Sequence, residues 1–248
     1  MVRTLLVRGM LAGVVAAVLA FVFAWLFGEP ALDGGIAYED ALSAAAGETD
    51  SEAPLVSRGA QSTIGLLVAL LIYGIAIGGI FSLVYAGVQG RVLRLAPRAT
   101  AGVLALIGYV VVVLVPFLKY PSNPPASSVD DTIGMRTGTF VLMLVLSVVA
   151  AVIAVAVGQR LVARLGTWNG VIAGAALYVV LAGIVAALLP VVAETPADFS
   201  AVVLYNFRVA TLGIHAVLWT AVGLLFGLFV SRGSSRDAER PTVGAGAG

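Results

Sequence analysis

The sequence predicts an all-α polytopic membrane protein, a bundle of six transmembrane helices. Three observations carry that expectation. Of the 248 residues, 60% are apolar and only 11% are charged, the mean hydropathy is +1.07, and the apolar residues gather into six runs near the ~20 residues with which a helix crosses ~30 Å of hydrocarbon. The runs cover about residues 5–27, 64–85, 102–118, 138–157, 170–189 and 209–230. Residues 1–231 therefore read as one membrane domain with the lipid bilayer as its solvent. Residues 232–248, rich in Gly, Ser and Arg without apolar periodicity, read as a disordered cytoplasmic tail.

The same composition excludes several classes. With 14 basic and 13 acidic residues the net charge is +1, which gives no case for nucleic acid. Cysteine is absent, so disulfides, thiolate metal sites and cysteine nucleophiles are ruled out. The chain has no GxxxxGK[ST] run and so is not by itself a P-loop ATP-driven pump. No serine, histidine and acid combination indicates an intramembrane hydrolase. An enzyme or a permanently bound cofactor is not expected.

Taken in order, the first run follows Arg3 and Arg8 but ends in Trp25, Leu26, Phe27, Gly28 and Glu29 without a small-residue cleavage pattern, so it reads as a retained anchor. The long loop from Gly28 to Thr63 has Ala and Leu content between Ala37 and Ala46 that suits a short amphipathic interfacial helix. Arg91, Arg94 and Arg98 follow the second run, Arg160 and Arg164 the fourth, and Arg232, Arg236 and Arg240 the sixth. Basic residues collect on the cytoplasmic side of short loops, so both termini read as cytoplasmic. Eleven of the 13 acidic residues then fall on the opposite side, in the first, third and fifth loops. Such a face concentrates cations, or is simply solvated. Gly9/Gly13, Gly74/Gly78, Gly170/Gly174 and Gly223/Gly227 are small-xxx-small pairs that permit close helix approach.

Each odd run leaves through a proline beside a charge: Glu29 and Pro30; Lys119, Tyr120 and Pro121; Glu194, Thr195 and Pro196. Each even run starts just after one arginine, Arg58, Arg136 or Arg208. The pattern fits three tandem helical hairpins, or the chance recurrence of the breaker and anchor that any membrane hairpin needs. At a helix N-terminus on the outer side, each arginine opposes both the macrodipole and the positive-inside preference. They either pair with Glu29, Glu39, Asp131, Glu194 or Asp198, or anchor helix ends at the headgroups.

The segment from Pro116 to Thr139 holds the most breakers. Its prolines leave carbonyls without helical partners, so it must sit at the interface or fold back on the bundle. Lys119 and Tyr120 suit headgroup level, and Asn123 with the freed carbonyls offers oxygen ligands to a cation, though a stiff turn needs none. His215 is the only histidine. Within a span it is a candidate ligand for divalent cobalt, nickel or zinc, or packing glue between helices. Alone it makes no metal site; Glu29, Glu39, Asp131 and Asp198 are the carboxylates that would complete one.

At these residues the sequence closely resembles the actinobacterial form of the CbtA family of probable cobalt transporter subunits, over nearly all of Met1 to Arg232. The specific parts are Glu29-Pro30 with Ile36, Ala37 and Glu39; Ser57, Arg58 and Gln61; PFLKYPSNPPA from Pro116 to Ala126; DTIGMRT from Asp131 to Thr137; PADF from Pro196 to Phe199; and Phe207-Arg208. The resemblance implies a bacterial inner-membrane protein acting in cobalt uptake for cobalamin synthesis, with Co²⁺ as the transported ion. It also implies a small, single-span, histidine-bearing CbtB partner, which would supply the imidazoles this chain lacks. A homo-oligomer is compatible with the same reading. The alternative is a non-transporting membrane scaffold or assembly protein whose outer loops dock a partner.

Overall fold

The structure, a computed structural model, describes residues 2–47, 56–128, 133–192 and 195–238. Five helices are long and apolar enough to cross a membrane: α1 (Val2–Ala46), α2 (Arg58–Val88), α3 (Pro97–Lys119), α4 (Ile133–Leu188) and α5 (Ala201–Ala238, apolar over Ala201–Arg232). The described residues contain no strand, only an isolated bridge between Gln89 and Leu93. The expected runs 5–27, 64–85, 102–118 and 209–230 lie in α1, α2, α3 and α5, whereas 138–157 and 170–189 both fall in α4. α5 continues into the stretch expected to be a tail, and residues 239–248 lie outside the described residues.

α4 does not run straight. Gly166 has φ 78° and ψ 165°, a conformation open to a residue without Cβ. Ser147 and Tyr178 would be ~46 Å apart along a straight helix, yet their hydroxyls are 2.8 Å apart. The Ser147 hydroxyl donates to the Val111 carbonyl at 2.7 Å, so its single hydrogen is used and Tyr178 donates to Ser147. Further along, a Cβ on Gly174 would lie 3.1 Å from the Ala154 carbonyl oxygen. The two arms of α4 therefore pack against each other across Gly166.

Pro30 corrects one expectation. It does not end the first span as a breaker would, because α1 continues through it to Ala46. A π-helical turn, Ala24–Gly28, precedes it, and the Glu29 amide donates to the Ala24 carbonyl five residues back. Pro30 then falls in the first turn of the resumed α-helix, where its missing N–H costs little. Pro116 repeats the device: a π-helical turn at Tyr109–Leu114 precedes it, with the Val115 amide bonded to the Val110 carbonyl. The helix expected over Ala37–Ala46 is present as the end of α1, closed by Gly47 at φ 73°.

The chain divides into two compact units. The first comprises Met1–Leu19, Leu67–Leu106 and Val217–Gly248. Here α1 crosses α2 on glycine: a Cβ on Gly13 would stand 2.0 Å from the Gly74 carbonyl oxygen, and one on Gly78 2.1 Å from that of Gly9. α5 meets α3 in the same manner at Gly223, whose Cβ would lie 2.5 Å from that of Ala105. Phe226 stacks edge-on to Phe81 at 5.4 Å and to Tyr85 at 4.9 Å. Small residues inside and branched residues outside suit a lipid solvent, where packing rather than the hydrophobic effect joins helices. α1 shows the division plainly, with Ala12, Ala16 and Ala17 fully buried and Leu11, Val15, Val18 and Leu19 exposed.

The second unit comprises Ala20–Leu66 and Ile107–Ala216, and it carries the proline stretch and most of the candidate site residues.

Candidate functional site

The site is built around residues 120–128, which leave α3 at its proline-rich end. Tyr120 is 5% exposed, covered by the protein itself, and its hydroxyl donates to the Pro190 carbonyl at 2.7 Å. The ring is drawn inward because that carbonyl also lacks a helical partner. Ser127 is fully buried and donates to the Pro124 carbonyl at 2.6 Å, closing a turn in which Ala126 has φ 56°.

Two arginines hold this segment. Arg136, in the first turn of α4, donates to the Pro121 carbonyl at 2.7 Å and to the Ser128 hydroxyl at 2.9 Å. Arg208 donates to the Asn123 side-chain oxygen at 2.8 Å and to the Ser122 carbonyl at 3.4 Å. Carbonyls freed by proline are thus met by guanidinium groups, which offer five donors in a fixed fork. Arg208 does not occupy the helix N-terminus expected for it. α5 begins seven residues earlier, with the Ser200 hydroxyl accepting from the Val203 amide, so Arg208 lies two turns in and clear of the unsatisfied amides.

Arg58 behaves as expected for an ion pair. It bonds the Glu29 carboxylate and also Asp33 at 2.7 Å. Glu29 and Asp33 are one turn apart on α1, so both face Arg58. The Asp33 contact does not follow from the sequence reading, because a break at Pro30 removes the helical spacing that places the two acids together. Asp198 lies beside the Tyr38 hydroxyl, and the Tyr38 ring meets the Phe199 ring edge-on at 4.9 Å. Gly34 and Gly35 let α1 lie against Val203 of α5 and against Pro124.

Glu39 is exposed. His215 lies half-buried on α5. Asp131 and Glu194 fall outside the described residues. Among the described residues no group of three or more His, Asp or Glu side chains could hold a metal ion. The arrangement borders an open pocket of about 230 Å³, lined among the described residues by Lys119, Tyr120, Pro121, Asn123, Arg136, Val192, Thr195 and Arg208. Lys119 also lies over the Tyr120 ring, 5.7 Å from its centre.

Long apolar helices, lipid-suited packing and a proline segment tied down by its own arginines define a helical membrane protein. The chain belongs to the CbtA family, described as probable cobalt transporter subunit (CbtA), whose model matches residues 2–231. That is a family of transporter subunits and not of enzymes. No curated protein and no solved structure matches the chain.

Proposed function

We propose that the chain is the six-pass inner-membrane subunit of a divalent cobalt uptake system, with both termini cytoplasmic and a small CbtB-like protein as its partner. The observation that carries this reading is the family match across residues 2–231. The sixth crossing is inferred from α4: its arms are each close to ~20 apolar residues and turn back at Gly166, so each suits one passage. An even number of passages places the basic N-terminus and the basic tail on one side, in keeping with the positive-inside preference.

The metal path is assigned to the acid-rich face, with Glu29, Glu39, Asp131, Asp198 and His215 as the groups that would attract or ligate the ion. A site completed by imidazoles of the partner fits the ligand preferences of divalent cobalt. The test is ⁵⁷Co²⁺ entry into liposomes holding the purified chain, with and without the partner. Saturable entry that needs both proteins is the expected result. No entry in either case overturns the transport reading and favours a scaffold.

A further inference from the structure

The first unit gathers positive charge at one end. It holds eight of the chain's arginines and two of its acids, Asp237 and Glu239. Helix register brings three of those arginines together. α3 and α5 run antiparallel, since a Cβ on Gly223 would lie 2.5 Å from that of Ala105 and one on Gly227 3.3 Å from the Arg98 Cα. One turn further along α5, the Ser231 hydroxyl accepts from Arg98 Nε at 2.8 Å, and Arg232 follows it. The loop that leads into α3 is fixed as well. Its Leu95 carbonyl accepts from the Gln89 side-chain amide at 3.2 Å and from the buried Thr100 hydroxyl at 3.3 Å. Arg94, Arg98 and Arg232 are all exposed there.

We propose that this end of the first unit binds the headgroup phosphate of an anionic phospholipid, held by Arg94, Arg98 and Arg232. Ser231 donates its own hydrogen to the Leu228 carbonyl at 3.0 Å, so its oxygen is committed to accepting from Arg98. That bond uses one of five guanidinium donors and orients the fork, whose terminal nitrogens match a pair of phosphate oxygens. Arg98 also stands in the first turn of α3, where helix amides favour an anion.

Apolar surface decides for a lipid over a free phosphate. Leu95 is exposed between Arg94 and Arg98, and Leu106 and Leu224 are exposed about two turns deeper in α3 and α5, along the course an acyl chain would take. The proposal rests on the membrane reading of the chain and not on cobalt transport.

The full-length chain is purified in detergent, and lipid retention is read by native mass spectrometry after incubation with phosphatidylglycerol or phosphatidylcholine. Phosphatidylglycerol is expected to be retained preferentially, about fivefold more weakly in Arg94→Gln and in Arg232→Gln and roughly 25-fold more weakly in the two combined. Both changes leave the Arg98 bond to Ser231 in place. The double variant Arg160→Gln, Arg164→Gln removes the same charge from exposed positions on α4 and is expected to retain phosphatidylglycerol like the natural chain. The proposal is overturned if phosphatidylglycerol is retained no better than phosphatidylcholine, or if the combined Arg94 and Arg232 variant retains it undiminished. It is also overturned if the α4 variant loses as much, because retention then follows net charge alone. Calorimetric binding of inorganic phosphate that the Arg94 and Arg232 changes abolish overturns it too, since the ligand is then a free anion.

Discussion

Gly78→Leu is expected to abolish the folded protein, and Gly78→Ala to lower its unfolding midpoint in detergent by roughly 5–10 °C, read by size-exclusion after heating. A Cβ at Gly78 would meet the Gly9 carbonyl oxygen at 2.1 Å, the Gly9 carbonyl carbon at 2.9 Å and the Gly13 Cα at 3.1 Å. All three are backbone atoms, so no flexible side chain can step aside. The helices must separate instead, and the reciprocal contacts at Gly13 and Gly74 are lost with them. Overfilling an ordinary core costs about 1–3 kcal/mol, and a backbone obstacle places this crossing at the upper end. At Gly87, also on α2, an added Cβ would meet nothing within 4 Å. Gly87→Ala is therefore the control, neutral or slightly stabilising because alanine favours a helix by about 1 kcal/mol.

Tyr120→Ala is expected to be the most damaging change in the proline segment, at about 3–5 kcal/mol. The ring is buried, and its removal opens a cavity where residues 120–128 lean on the chain near Pro190. Tyr120→Phe keeps the ring and gives up only the bond to the Pro190 carbonyl, for about 1 kcal/mol. The ratio between the two variants separates a packed ring from a headgroup anchor. An anchor at the lipid surface would show a small loss in both, within the roughly 0.5 kcal/mol of surface substitutions.

Much of the fold is legible because lipid forces a simple code. Apolar runs of the right length mark helices, and the small-xxx-small pairs mark where helices touch; Gly9, Gly13, Gly74 and Gly78 meet backbone to backbone. Pro30 is not legible. A π-helical turn can absorb the missing amide, and nothing in the local composition of AWLFGEP distinguishes a breaker from a proline taken into the first turn of a resumed helix. The consequence reaches the site, since only an unbroken α1 brings Asp33 alongside Glu29 at Arg58.

The arginines stand out in the sequence as needing partners, and Arg58 finds Glu29. Arg208 finds a carbonyl and an amide oxygen, which charge counting does not suggest. The proline-rich composition does hold that signal: each proline removes an amide donor, leaves a carbonyl unbonded, and so creates an acceptor for a nearby guanidinium. His215 and the carboxylates are different in kind. Their types fit metal chemistry, but where they converge depends on tertiary placement that no spacing encodes.

The absence of cysteine makes the proposed six crossings directly testable, because each engineered thiol is the only one in the chain. Single cysteines at Ser43, Thr167 and Ser234 are treated in intact cells with a maleimide that cannot cross the membrane. Six crossings with cytoplasmic termini predict labelling at Ser43 alone, with Thr167 and Ser234 reacting only after the membrane is opened. Labelling of Thr167 from outside, or of Ser43 only after opening, would contradict it.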